Sequence, residues 1–456
     1  MAGSAVRAAL PALPREGARH AVLKAYNQSP GRSVLHSTLH DSVKLPSRPR
    51  RHDAGVRQEL RRSQPIHAIR AAMPETITAP FAGIDPLSAV THPDPYPYYR
   101  ELAATRPFFR DPRLGLWVAA GPREVAAVLS HPDCRVRPAT QPVPPTLAGT
   151  AAGDLFGRLI RMNDGAAHAP LKALLMPMLA AVEAGHAARQ AAAMAQVLDA
   201  GDGAHAAMPA ASVNRWLFAL PVVTVASVLG LPVAHKPGMA VEVAQQVAAF
   251  AAAQSPLADA DTVRAGAAAA RWLGTWLASS LASGVAADGP LPALQHAAQA
   301  AGIEAQAVAA NIIGVLVQAC EATAALAGNT LLWLGRHPAQ GDTPLEAVVT
   351  RVAQADPPVQ NTRRFVAANT RLCGHAVRAG DTVLVLLAAA SCSGLAHDGR
   401  AWTFGHGRHA CPGDRLAQAL AGATVAALRA RGADPAALAQ AFRYRPSLNA
   451  RIPHFL

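Results

Sequence analysis

Phe404-Gly405-His406-Gly407-Arg408-His409-Ala410-Cys411-Pro412-Gly413 decides how the rest of this 456-residue chain is read. Taken locally, it is a glycine-kinked loop that delivers one cysteine to the start of a helix. Gly405 and Gly407 permit backbone angles and close approaches that a Cβ forbids. Pro412 suits a first helical turn, where its missing N–H costs nothing. Leu416, Ala417, Leu420, Ala421, Val425 and Leu428 then recur with helical spacing. Cys411 is thereby predicted at a positive helix end, where free N–H groups stabilise a thiolate. Arg408 and His409 add positive charge beside it. One activated thiolate without a partner cysteine points to a nucleophile or to a soft ligand for iron.

The pattern Phe-Gly-x-Gly-x-His-x-Cys-x-Gly resembles the haem-ligand loop of the cytochromes P-450. The resemblance runs from Met73 to the C-terminus and implies a mainly α fold, a large helical domain with a small β-rich subdomain. It implies that Cys411 is the axial thiolate of a haem b (iron protoporphyrin IX), pushing electron density onto iron. Phe404 would then pack near the sulfur and His409 would reach a propionate. Gly405, Gly407 and Gly413 belong to the same cofactor-binding loop.

Composition agrees with a helix-rich globular chain: 51% of residues are hydrophobic, only 5% are aromatic, and alanine dominates. A net charge of +13 would ordinarily suggest nucleic acid. Its distribution argues otherwise. Residues 1–72 hold thirteen Lys/Arg and four Asp/Glu, so the remainder carries 29 basic against 25 acidic residues, a net of only +4. Five cysteines, with no C-x-x-C pair, read as reduced thiols in a cytoplasmic protein. No N-terminal apolar run is long enough for a secretory signal or an anchor.

Residues 1–72 read as a basic, disordered extension, with a transit peptide or a true start at Met73 as the other readings. The folded domain, residues 73–456, opens on the proline-stiffened His92 to Arg100. Leu116 to Ala119 reads as a strand, with a helix from Arg123 to about Leu129, and the Pro- and Thr-loaded stretch 137–153 as a loop. Within Met162 to Lys172, the resemblance assigns His168 and Lys172 to a propionate. Lysine there keeps the charge of the usual arginine but loses its bidentate fork.

Ile303 to Leu334 is apolar nearly all round and is predicted as one central buried helix. Its length would also span a membrane, but Asn311, Gln318, Glu321 and Asn329 argue against a span. Within it, Ala319-Cys320-Glu321-Ala322-Thr323 resembles the family's oxygen-binding segment. The resemblance places Ala319 against the cofactor and gives Glu321 and Thr323 a proton-relay role. Cys320 replaces the usual glycine there, and the acid stands two residues before the threonine.

Two departures stand out. Arg351 and Gln354 occupy the positions of the family's Glu-x-x-Arg pair, which leaves Arg351 either a buried orphan or turned to solvent. Only thirteen residues separate Ala390 from Phe404, where the family carries a longer meander. Arg363 still matches a propionate-binding position, and Thr370–Leu372 and Thr382–Leu387 keep a β pattern.

The resemblance thus implies a haem-thiolate monooxygenase acting on a small apolar substrate. It would be a monomer without a membrane span or nucleic-acid partner, with electrons from a ferredoxin-like donor and its reductase. That donor is predicted to be acidic and to dock around Arg408 and Arg415. A degenerate haem-binding protein without oxygenase activity is the alternative that the departures favour.

Overall fold

Alanine- and leucine-rich runs form helix readily, and their apolar faces hold only when buried against one another. The computed structural model describes residues 83–199, 207–236, 238–284, 289–340 and 343–456. The basic extension and the Met73 start lie outside those residues. Asp85 to Leu456 belong to one compact unit.

The helical part is organised around a broken rod, Ala305–Gln318 followed by Glu321–Arg336. At the break Cys320 leaves helical backbone (φ −76°, ψ −85°), and its N–H reaches back only to Val317, at 3.1 Å. The single helix predicted from periodicity is therefore two. Between Ala307 and Gly335 the only exposed residues are Gln318 and Glu321, one on either side of the break. Helices break in this way where a polar side chain or water enters the i→i−4 ladder.

Trp216, Leu217 and Leu220 of Ala210–Val228 and Leu420 and Leu428 of Asp414–Ala430 fill the same core as Ile312, Leu316 and Leu331 of the rod. Ala210–Val228 and the Ala305–Arg336 rod are both long and apolar enough to cross a bilayer. In each, 67% of the apolar window is buried inside the protein, so that length serves the core.

Gly335 marks the tightest approach to the rod. A Cβ there would stand 2.1 Å from the Pro435 carbonyl oxygen. Gly335→Ala is expected to lower stability by about 1–3 kcal/mol, read as an earlier midpoint in urea unfolding. An unchanged midpoint would mean that the two segments are not held this close.

Strands β1 (Phe108–Asp111), β2 (Leu116–Ala119), β3 (Cys134–Arg135), β4 (Thr362–Val366) and β7 (Thr382–Val385) form one sheet in the order β1-β2-β7-β4-β3. The β2–β7 pair is parallel, with Trp117 opposite Val383, and the other neighbours are antiparallel. β5 (Thr370–Leu372) and β6 (His375–Val377) make a hairpin over Cys373 and Gly374, both at positive φ. β8 (Phe442–Tyr444) pairs with β9 (Pro453–Phe455) near the C-terminus. The strand predicted to reach Leu387 ends at Val385, because Leu387–Ser391 turns helical. Phe108, Val125, Val128, Val366 and Trp402 form a second core between this sheet and the Pro122–Ser130 helix.

Of the two outcomes expected for Arg351, a buried orphan or a side chain turned to solvent, the structure has the second. Arg351, on Leu345–Ala355, is exposed, so no buried orphan forms there. A different ion pair occupies the core beside that helix. Arg451, 1% exposed, donates from Nε to Asp356 Oδ1 at 2.9 Å. Its Nη1 reaches the carbonyls of Val90 and His92 at 3.2 and 2.6 Å, and its Nη2 reaches that of Pro93 at 2.8 Å. The guanidinium lies 3.7 Å from the Tyr444 ring centroid, and the Tyr96 hydroxyl also donates to Asp356.

Candidate active site

The cysteine loop is closed by its own backbone. Cys411 N–H donates to the Phe404 carbonyl at 2.8 Å, which forces the chain between them into a tight circuit. Gly405 and Gly407 take φ of +71° and +67°, and a Cβ on Gly407 would lie 3.3 Å from the Leu129 carbonyl. The circuit therefore backs directly onto the end of the Pro122–Ser130 helix. Phe404 is half-buried against the helical core.

The following helix begins at Asp414, with Gly413 at its N-cap, so Pro412 is not in the first turn and Cys411 precedes the helix. Gly413 nevertheless donates a backbone hydrogen bond to the Cys411 thiol. Burial pushes that thiol up; the Gly413 N–H pulls down, Asp414 pushes up, and Arg400 and Lys172 pull down, with burial prevailing. The activation expected from the helix end alone is thus outweighed by desolvation. A metal ion bound at the sulfur would favour the thiolate.

Three loop carbonyls are gripped by cations. Lys172, on Ala169–Ala180, donates from Nζ to the carbonyls of Arg408 and of Ala410, the latter at 3.1 Å. Arg400 donates from Nη1 to the Cys411 carbonyl at 2.8 Å and pairs with Asp414 at 3.4 Å. Lys172 therefore spends its ammonium on the loop rather than on the cofactor position expected of it. His168, Lys172, Met176, Arg400, Arg408 and Cys411 contribute to the wall of a cavity of about 510 Å³.

Asp164 was not singled out from sequence and is the hub of the neighbouring polar cluster. It accepts from Val136 N–H at 2.9 Å, Arg408 Nε at 3.1 Å and His409 Nε2 at 2.9 Å. Arg408 also donates to the carbonyls of His131 and Cys134, at 3.0 and 2.7 Å, which removes it from the docking role predicted for it. Arg415 remains exposed. Burial opposes ionisation of Asp164, but the His409 hydrogen bond, the Val136 N–H and Arg408 hold it well below the usual carboxylate range.

The His168 and His409 rings lie 4.3 Å apart. Burial, then the charges of His409 and Lys172, lower His168 to about 4. A histidine depressed on folding stays neutral in the folded state while the unfolded chain takes up a proton. Stability is accordingly expected to be full above about 6.5, the ordinary histidine value, and to fall as pH drops toward 4. His168→Gln should flatten the pH dependence of the unfolding midpoint across that window. A slope unchanged by the substitution would assign the acid sensitivity elsewhere.

Arg137 and Arg363 approach one another as like charges: burial, then Arg363, lower Arg137 to about 10. Neighbouring guanidiniums suit carboxylates, which they grip through paired N–H groups. In the broken rod, Ala319 and Thr323 are buried, while Glu321 is exposed. Burial nonetheless raises Glu321 above its ordinary value, with Arg445 and Arg161 opposing. Among the described residues, no hydrogen bond or ion pair joins Glu321 or Thr323 to the cysteine loop.

These residues fit a haem. One sulfur stands in a loop whose carbonyls are clamped by Lys172 and Arg400, at the wall of a cavity of about 510 Å³. Asp164 escaped sequence reading because its partners Val136, Arg408 and His409 are distant in sequence. The Asn163-Asp164-Gly165 turn was the available signal for Asp164.

No family profile and no curated protein matches this chain. Solved structures do. CalO2 is 23% identical with a TM-score of 0.67, over 82% of this chain and 98% of that one. P450BioI, in complex with hexadec-9Z-enoic acid ligated acyl carrier protein, is 20% identical with a TM-score of 0.63, over 79% and 96%. A P-450 heme domain from Tepidiphilus thermophilus is 17% identical with a TM-score of 0.63, over 82% and 95%. With its broken central rod, its small mixed sheet and this loop, the chain has the cytochrome P-450 fold.

Proposed function

We propose that this chain is a haem-thiolate monooxygenase that places one oxygen atom from O2 into a small organic substrate, with Cys411 as the iron ligand. The observation that carries the proposal is Cys411 itself, a half-buried cysteine in a loop whose carbonyls are held by Lys172 and Arg400. Haem, when bound, supplies oxygen activation and one-electron chemistry.

The protein's part is to hold, orient and move protons. Arg137, Arg363, His168 and His409 are the residues for the cofactor's carboxylates, with Asp164 fixing His409. Lys172 acts one step back, as a positioning residue for the cysteine loop. Gly407 lets that loop seat against Leu129. Glu321, whose pKa burial raises, is the residue to exchange a proton with water, and the Thr323 hydroxyl can orient that water. Electrons come from a separate ferredoxin-like protein with its reductase. Its docking face includes Arg415 rather than Arg408.

The alternative of a degenerate haem protein draws its support from the altered Glu-x-x-Arg pair and the short stretch between Ala390 and Phe404. Arg451 and Asp356 weaken it, since they provide a buried ion pair at the end of the same helix. The test is product formation by the haem-loaded chain with NADPH, ferredoxin and ferredoxin reductase. Glu321→Gln combined with Thr323→Ala is expected to lower the rate about a hundredfold, the scale of positioned acid–base catalysis, with haem content unchanged. Product formation at the parental rate would remove both residues from the reaction. No product from the parental chain across a broad substrate panel would favour the degenerate reading.

A further inference from the structure

Residues 356–361 form a short strap between the Leu345–Ala355 helix and strand β4. One end of the strap is held by the C-terminal segment. The Asp356 carboxylate accepts from Arg451 Nε at 2.9 Å and from the Tyr96 hydroxyl. Its carbonyl accepts from Asn329 Nδ2 of the central rod at 3.1 Å. Arg451 takes hold a second time, since its backbone N–H donates to the Pro358 carbonyl at 2.9 Å. The Gln360 N–H donates to the Asn449 carbonyl at 2.8 Å, and Val359 stands opposite Ala450 in an antiparallel bridge.

The other hold of the strap is on the cysteine loop. The Val359 N–H donates to Thr403 Oγ1 at 3.1 Å, and the Thr403 hydroxyl returns a bond to the Val359 carbonyl at 3.3 Å. Thr403, 7% exposed, immediately precedes Phe404, whose carbonyl closes the loop by accepting from the Cys411 N–H. Between Asp356 and Val359 lie Pro357 and Pro358. Each proline fixes its own φ and restricts the residue before it, so the two ends of the strap cannot move independently. A shift at Asp356 is therefore passed through Val359 and Thr403 to the loop, along one unbroken chain of covalent and hydrogen bonds.

We infer that Arg451 and Asp356 are positioning residues for Cys411, setting the seat of its loop through the Pro357-Pro358 strap and Thr403. That the seated sulfur serves an iron rests on the oxygenase reading above. The positioning arginine comes from the C-terminal segment, while Arg351 of the Leu345–Ala355 helix is exposed.

Alkylation of each cysteine by iodoacetamide, followed by mass spectrometry on the full chain without haem, reads this seat. Cys320, 1% exposed at the break of the rod, is the internal reference for global opening. Thr403→Val keeps the shape of the side chain and removes both bonds to Val359. It should raise the Cys411 rate about fivefold relative to Cys320, the scale of one net hydrogen bond, and Thr403→Ser should restore the parental rate. Arg451→Met combined with Asp356→Leu should raise the Cys411 rate in the same way, even where removing both charges returns part of the stability. After haem loading, both accelerated variants should move part of the carbon monoxide spectrum to the undisplaced band. A parental Cys411 rate in Thr403→Val, or in the double variant, would overturn the inference. Equal acceleration at Cys411 and Cys320 would reduce the pair to a general stabiliser and overturn it as well. A parental chain that takes up no haem would remove the oxygenase reading alone, because the alkylation rates are measured without haem.

Discussion

Cys411→Ser is expected to abolish oxygenase turnover and the thiolate-haem spectrum together. Serine matches cysteine closely in size, so the loop should survive. Its closing bond, from residue 411 N–H to the Phe404 carbonyl, and the clamps from Arg400 and Lys172 all engage backbone. The change falls on the donor atom. Soft sulfur bound to iron is what directs haem toward O–O cleavage, and a serine hydroxyl at neutral pH offers a hard, protonated oxygen. The expected readouts are loss of product, loss of the displaced Soret band and little change in the unfolding midpoint. Turnover retained in Cys411→Ser would remove Cys411 from the iron.

Arg451→Met is expected to cost about 3–5 kcal/mol of stability, the scale for removing one partner of a buried ion pair. The side chain is 1% exposed and joins Asp356 to three carbonyls between Val90 and Pro93. Methionine fills the volume but leaves Asp356, 15% exposed, with only the Tyr96 hydroxyl against it. Adding Asp356→Leu should recover part of the loss, because both charges are then gone. Chemical unfolding of the two variants reads both effects. A single mutant as stable as the parent would mean that this ion pair does not hold the N-terminal segment to the core.

The cysteine loop was legible because its chemistry is written in ten consecutive residues with two obligatory glycines. Helices were legible wherever apolar periodicity ran unbroken, as in Ala210–Val228. The break at Cys320 was not. It contains neither proline nor glycine, so no local signal marked it. The sequence around Arg351 and Gln354 left that arginine either buried or turned to solvent, and it is exposed. That stretch could not announce Arg451 with Asp356, whose residues stand far apart in sequence and meet only when the C-terminal segment folds back. Asp164 acquires its role from another element, since it serves the cysteine loop. Lys172 shows the limit of carrying a role over by position alone, since its charge reaches the loop carbonyls first.

The most direct test of Cys411 as a haem ligand is the absorption spectrum of the purified full chain, reduced with dithionite, with and without carbon monoxide. Cys411 as a thiolate ligand predicts the displaced Soret band from which the cytochromes P-450 take their name, with haem bound at one per chain. An undisplaced band, as given by a neutral-thiol or histidine ligand, or a chain that binds no haem, would contradict it.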